Sequence, residues 1–249
     1  MEYGQTIKLG KHTLMCGDST KTEDIKKLLH NHKIDSIITD PPYGVDYANK
    51  NKLLNKLYGG NRKTKEINND NINDYYIFFK QILENIKPYL NDYNTAYIFM
   101  SSKQLHNLRQ AFDDAGYHWS DYLTWIKNNH VLTRKDYKAK MEHILYGWYN
   151  HHKFYGGFRT NVLEYKRPHR NKLHPTMKPL PLLEQLITDG TPENGMVFDP
   201  FGGSGSTLIA CEKQDRACHI MEIDPTYCDT IIKRYNDYKK HVETQERLL

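Results

Sequence analysis

Met196-Val197-Phe198-Asp199-Pro200-Phe201-Gly202-Gly203-Ser204-Gly205-Ser206-Thr207 carries an apolar strand into a glycine turn and then into a helix over residues 206–212. Glycines placed after a strand let the backbone approach a ligand closely at the amino end of the next helix. The turn is not the dinucleotide pattern G-x-G-x-x-G, because Ser206, Thr207 and Leu208 follow Gly205 and the third glycine is missing. It also lacks the lysine of a phosphate-binding loop. An adenosine-containing cofactor of another kind fits better. The next apolar run, residues 218–221, ends at Glu222. Taken singly, Glu222 reads as a surface acid at a strand end. One strand–helix–strand unit after a glycine loop, it is placed to hold ribose hydroxyls.

Outward from this unit the chain alternates strands and helices. His12–Cys16, Ile34–Thr39, residues 95–100, His118–Ile126 and residues 143–149 read as strands, and Ile34–Thr39 has the continuous apolar character of a strand buried on both faces. Thr20 and Glu23 have capping-box spacing before a helical stripe of Ile25, Leu28 and Leu29. Ile77, Phe78, Ile82, Leu83 and Ile86 mark a longer helix that stops before Pro88. Leu105, Leu108 and Phe112 mark another, closed by Gly116. Leu182, Leu183, Leu186 and Ile187 run up to Gly190, and Tyr227, Ile231, Ile232 and Tyr235 suggest a final helix. This alternation predicts an α/β chain, doubly wound, with a mostly parallel sheet covered on both faces. At 249 residues the chain is long enough for one large domain of that kind. No stretch approaches a membrane span and the first residues lack a charged and apolar signal, so the expectation is a cytoplasmic protein. Cys16, Cys211, Cys218 and Cys228 form no C-x-x-C pair and read as buried free thiols, with no metal site or disulfide.

The strand Ile34–Thr39 leads directly into Asp40-Pro41-Pro42-Tyr43. An aromatic amino group is a poor nucleophile because its lone pair is delocalised into the ring. Accepting both amino hydrogens pulls the nitrogen toward tetrahedral geometry and localises that pair. Asp40 can accept one hydrogen, and the carbonyl of Pro41, its backbone stiffened by proline, can accept the other. Tyr43 offers a flat face to a base swung out of its helix. The same tetrapeptide by itself reads equally well as a turn after a strand. No Pro-Cys dipeptide is present, which argues against the cysteine-dependent methylation of cytosine C5.

Two intervals break the alternation. Residues 44–66 hold Lys50, Lys52, Lys56, Arg62, Lys63 and Lys65 against Asp46 and Glu66. Residues 150–173 hold Lys153, Arg159, Lys166, Arg167, Arg170 and Lys172 against Glu164, with Phe154, Tyr155, Phe158 and Tyr165 interleaved. Such stretches can neutralise phosphates and stack on bases, or can be solvated loops of a lysine-rich protein. Their place beside a base-handling motif favours the first, as does the net charge of +5. His151 and His152 could meet phosphate, or need no role at all. Trp125 and Lys127 end a strand near the active-site face, and a core role is the default for Trp125.

With these motifs in view, the chain resembles the S-adenosylmethionine-dependent amino-methyltransferases of DNA, in the permuted order called the beta group. Asp40–Tyr43 matches the catalytic motif and Asp199–Gly205 the cofactor loop. His174-Pro175-Thr176-Met177-Lys178-Pro179 resembles the segment wrapping the methionine end of the cofactor, and Cys16-Gly17-Asp18-Ser19 the strand end beside its adenine. The resemblance implies a Rossmann-like methyltransferase fold: a seven-stranded sheet whose last strand runs antiparallel, with the Cys16 strand beyond the Glu222 strand. The glycine-loop strand then lies next to Ile34–Thr39. It implies a catalytic half at 1–149, a small target-recognition insertion at 150–173 and a cofactor-binding half at 174–249. Asp40, Pro41, Pro42 and Tyr43 become the catalytic residues, and Asp18, Thr176, Lys178, Asp199, Phe201, Gly203, Ser204, Gly205 and Glu222 the contacts to S-adenosyl-L-methionine. Asp18 also reads as part of a strand-ending turn, and Pro175 and Pro179 as shapers of a loop around Thr176 and Lys178. The expected partner is double-stranded DNA, with a homodimer and a cognate restriction endonuclease as further partners. D-P-P-Y is the form associated in the family with adenine N6, which is the base expected here, and cytosine N4 is the alternative. An inactive DNA-binding relative, or methylation of RNA or of a protein amide, are readings from other classes.

Overall fold

Ile34, Ile37 and Ile38 expose essentially no surface, as a strand covered on both faces requires. The computed structural model describes residues 1–42, 72, 74–130, 136–167 and 177–246. Within them lie β1 (Thr6–Leu9), β2 (His12–Cys16), α1 (Thr22–Leu29), β3 (Ile34–Thr39), α2 (Tyr75–Ile86), β4 (Leu90–Met100), α3 (Leu105–Asp114), β5 (His118–Ile126), β6 (Met141–Trp148), β7 (Val162–Glu164), α4 (Leu180–Gly190), β8 (Met196–Asp199), α5 (Ser206–Lys213), β9 (Ala217–Glu222) and α6 (Pro225–Glu246). Tyr43, Thr176, the whole basic interval 44–66 and residues 168–173 lie outside the described residues.

The strands form one sheet in the order β1-β2-β9-β8-β3-β4-β6-β5-β7. The seven inner strands are those expected, with β2 beyond β9 and β8 beside β3. Short β1 and β7 extend the edges, making nine rather than seven. The antiparallel strand of the inner seven is β6, between β4 and β5, and the chain's final strand β9 runs parallel to both its neighbours. The expectation of a last strand running antiparallel is corrected in that respect: β6 fills the role, and the chain reaches it before β7, β8 and β9.

Alternation along β4 builds two cores. Ala96, Ile98 and Met100 pack with α1, α2 and α3, whereas Tyr97 and Phe99 pack with α4, α5 and α6. Each large side chain fully buried here contributes on the order of 1.5–3 kcal/mol. In α2, Tyr75, Phe78, Phe79, Ile82, Leu83 and Ile86 line one buried face, and Asp74 caps the start by accepting from the Ile77 amide at 3.1 Å. The helix ends in a short 3-10 turn carrying Pro88. The capping box expected at α1 does not form. Lys21 is the cap residue, and the Thr20 hydroxyl donates to Asp18 instead. All four cysteines are free and buried. Among the described residues no helix is long and apolar enough to cross a membrane.

From β8 the chain continues to β9 on one side, and from β3 to β4 on the other. The β3–β8 boundary is therefore the switch point of the sheet, where open α/β folds bind ligands at the carboxyl ends of their strands.

Candidate functional site

Asp40 follows β3 and Asp199 ends its parallel neighbour β8, so the two motifs leave the sheet side by side. Thr39 Oγ1 donates to Asp199 Oδ1 at 2.7 Å, tying the last residue of β3 to the last residue of β8. The Phe201 amide donates to the same oxygen at 3.0 Å and starts the glycine turn. Gly203 and Gly205 have φ of +52° and +77°, conformations that a side chain at Cβ disfavours. A Cβ on Gly202 would stand 2.7 Å from Ile220, so this glycine serves close packing. The turn closes on β9: the Gly203 amide donates to Glu222 Oε2 at 2.7 Å and the Asp224 amide to Oε1 at 2.8 Å. The Gly17 amide donates to the Glu222 carbonyl at 3.0 Å, which brings the Asp18 turn beside the same strand end. Asp18 Oδ1 accepts from the amide and hydroxyl of Thr20 at 3.0 and 2.7 Å. Ser204 is buried, and Arg234 donates to its carbonyl. The Phe201 ring packs 5.7 Å from that of Phe78.

Because β6 runs antiparallel, its first residues also lie at this end of the sheet. Lys178 Nζ donates to Asp40 Oδ2 at 2.5 Å and stands 2.6 Å from Glu142 Oε1. Lys127 Nζ stands 2.6 Å from Glu142 Oε2.

The family model described as DNA methylase matches residues 34–169 and 156–234, most of the chain. The chain belongs to this family. The methylase is 28% identical over 248 residues to the Type II methyltransferase M.HpaI of Haemophilus parainfluenzae, covering 89% of this chain and 73% of that protein. It is 23% identical over 254 residues to the Type II methyltransferase M2.MboI of Moraxella bovis, covering 89% and 90%. Among solved structures, an M1.HpyAVI–SAM complex aligns with a TM-score of 0.66 and 27% identity over 89% of this chain and 98% of that one. The PvuII DNA methyltransferase, titled cytosine-N4-specific, aligns with a TM-score of 0.69 at 17% identity over 95% and 94%, a likeness of fold. The protein is thus a DNA amino-methyltransferase with a Rossmann-like methyltransferase fold.

The electrostatics divide the methylase site in two. Burial pushes the Asp199 carboxyl up to about 6, against the hydrogen bonds from Thr207, Thr39 and Phe201, and the Asp40 charge adds to the rise. Burial pushes Glu222 up to about 7, against the amides of Asp224 and Gly203, with Asp224 and Asp199 adding to it. Among the described residues the bonded partners of these two acids are hydroxyls and amides, none cationic. A cofactor bringing positive charge and hydroxyl donors suits such a pocket, and the positive-φ glycines leave the backbone open to it.

At Asp40 the reverse holds. Burial alone would lower the Lys178 ammonium, but Asp40 and Glu142 outweigh it and hold the group charged. Burial alone would raise Glu142, yet Lys178 and Lys127 hold its carboxyl below the ordinary range.

Sequence reasoning missed Glu142, an acid at the start of a strand with no motif around it. It also missed the loop between β5 and β6, which holds Lys138, Lys140 and the exposed Tyr137 at the active-site end. The described part of the interval, residues 150–167, reaches both ends of the sheet. Its first part lies at the amino ends of the parallel strands, opposite Asp40: His151 bonds to the start of β4 and Tyr155 to the end of α4. His151 stands 3.2 Å from Asp92, and His152 stacks on Trp148. Arg159 holds buried Asp189 through Nε and Nη2 at 3.0–3.2 Å. Beyond it β7 returns to the active-site end, where Trp125 is buried as a core residue and donates to the Tyr165 carbonyl at 2.8 Å.

Proposed function

We propose that this DNA amino-methyltransferase transfers a methyl group from S-adenosyl-L-methionine to N6 of an adenine swung out of double-stranded DNA. The observation that carries the reading is the Thr39–Asp199 bond, which sets the D-P-P-Y and glycine-loop motifs shoulder to shoulder at the switch point of the sheet.

In this reading Glu222 holds the cofactor ribose and Asp18 the adenine edge. Asp199 and Phe201 line the methionine end, while Gly203, Ser204 and Gly205 admit the backbone to close approach, with Thr176 closing the far side. When bound, S-adenosylmethionine supplies a methyl group made electrophilic by its sulfonium. Asp40 accepts one amino hydrogen and the Pro41 carbonyl the other, Pro42 keeps the turn rigid, and Tyr43 stacks on the base. Asp40 would take the proton that the nitrogen releases as its localised lone pair accepts the methyl group, the pair of the broken methyl–sulfur bond staying on the cofactor sulfur. DNA is held by the basic residues 44–66, by the loop between β5 and β6, and by the later part of the recognition segment, near Lys166 and Arg167. The reading also includes a cytoplasmic site of action, a homodimer and a cognate restriction endonuclease. Sedimentation of the purified protein tests the dimer, and protection of host DNA from cleavage tests the endonuclease.

Incubation with labelled S-adenosylmethionine and unmethylated DNA, RNA and protein, followed by digestion, tests the whole. Label in N6-methyladenine is the expected result. Label in N4-methylcytosine overturns the base, and label in RNA or protein but not DNA overturns the substrate.

A further inference from the structure

Four charged side chains from four parts of the chain converge behind the acceptor motif. Asp40 follows β3, Lys178 precedes α4, Glu142 opens β6 and Lys127 follows β5. The contacts run in series, Lys127 to Glu142 at 2.6 Å, Glu142 to Lys178 at 2.6 Å and Lys178 to Asp40 at 2.5 Å. Both ammonium groups also lie 4.9 Å from an aromatic ring centre, Lys178 from Phe99 and Lys127 from Trp125. Side-chain exposure rises along the series, from about a tenth at Lys127, Glu142 and Lys178 to 26% at Asp40. The array therefore has a direction. It is anchored in the core and presents one carboxylate at its open end.

Stability gives little reason for it. Removing charges from water costs about as much as pairing them returns, and apolar groups of equal volume often serve as well. Methylation gives a better one. A carboxylate that must meet an amino hydrogen in one orientation gains from having its torsions fixed before the base arrives. A lysine bound to Asp40 alone would hold that carboxylate but also compete for its lone pairs. Glu142 on the far side of Lys178 shares the positive charge and keeps the lysine drawn back.

We propose that Lys178, clamped by Glu142, is a positioning residue for methyl transfer. It fixes the Asp40 carboxylate in its accepting orientation, while Glu142 preserves its strength as an acceptor. The proposal rests on Asp40 as the amino acceptor. Among the described residues, the charged groups facing Asp40 are Lys178 before α4, Glu142 of β6 through that lysine, Lys127 after β5 through Glu142, and Asp199 at the end of β8. Their signs fix the direction of each effect. Without the Lys178 ammonium, Asp40 faces the carboxylates of Glu142 and Asp199, so the acid limb of the rate profile moves to higher pH. Without the Glu142 charge, Lys178 bears more strongly on Asp40, and the limb moves to lower pH.

The test uses the full chain under single turnover, with cofactor affinity measured separately. Lys178→Met should lower the methyl-transfer rate ~100-fold, the effect of about 1 Å of misplacement. It should leave the dissociation constant for S-adenosylmethionine within about twofold, and Lys178→Arg should recover part of the rate. Glu142→Gln should shift the acid limb opposite to Lys178→Met. If Lys178→Met does not fold, the pair Lys178→Met with Glu142→Gln restores charge balance, and should fold while remaining slow. Weakened cofactor binding at unchanged rate would assign Lys178 to the cofactor and overturn the proposal, as would a double variant of full activity. An active Asp40→Ala would sink the acceptor reading itself. An inactive Asp40→Ala beside a normal Lys178→Met would sink the positioning role alone.

Discussion

Two acidic sites stand side by side at the end of this sheet, and they are built in opposite ways. Asp40 meets a lysine whose charge is itself anchored by Glu142, so its neighbourhood is balanced between carboxylates and ammonium groups. Asp199 and Glu222 meet hydroxyls and amides, lie near one another's charge, and have carboxyls raised to about 6 and about 7. In the proposed reading this difference separates two tasks. A group that accepts an amino hydrogen must be ionised and aimed in advance. A group that holds a cationic, hydroxyl-bearing cofactor can leave its charge uncompensated until that cofactor arrives, and the binding then supplies what the pocket lacks.

The comparison is broken most directly at Asp40. Asp40→Ala should lower methyl transfer by ~10²–10³-fold, the usual loss when one aimed polar group is removed from a reacting centre. Calorimetry should find cofactor affinity retained. A fall in affinity as large as the fall in rate would merge the two sites into one. At the neighbouring site the expectation reverses. Gly205→Val forces a β-branched residue into φ of +77° with its Cβ 3.0 Å from Ile231, and should weaken cofactor binding about tenfold or more while DNA affinity holds.

Acidity sharpens the contrast. Asp199 and Glu222 have folded-state values above the ordinary carboxyl value, so the cofactor-free protein binds their protons more tightly than the unfolded chain does. Their contribution to stability is fully present below the unfolded carboxyl value, about 4. It is lost as pH rises through about 6 for Asp199 and about 7 for Glu222. The cofactor-free melting temperature should therefore fall over that range. Affinity for S-adenosylmethionine should rise over it, because binding favours the ionised acids. Melting curves with and without cofactor from pH 5 to 8 check both. A flat affinity profile would show that binding leaves the protonation of these acids unchanged.

The smallest effects belong to the far end of the sheet. Arg159→Ala, which strips buried Asp189 of its cation, should lower the melting temperature and leave both rate and DNA affinity near normal. Phe158→Ala removes a fully exposed ring and should change none of the three. A drop in DNA affinity in either variant, read by filter binding, would return residues 150–159 to the recognition surface.

Much of the molecule was legible in the chain. The apolar run of β3, the stripe of α2 and the glycine turn between β8 and α5 each depend on neighbours close in sequence, whose spacing a periodic pattern records. The capping box at α1 failed although its spacing was right, because Asp18 took the Thr20 hydroxyl into its own turn. β1 and β7 were not legible. Strands of three or four residues show too little alternation to register, and their pairing partners supply what order they have.

By itself the sequence determined the doubly wound class, the place of both motifs at strand ends and the amino-acceptor chemistry that Asp40-Pro41-Pro42 can perform. These follow from local pattern and from the chemistry of the residue types. Only the tertiary structure decided what stands beside each carboxylate. Lys178 reaches Asp40, and Glu142 and Lys127 stand behind it, from elements far apart in the chain, while residues 150–167 run between opposite ends of the sheet. Charge and distance act through space, so no spacing along the chain could have announced that one acid would be matched by a clamped lysine and the others by hydroxyls and amides.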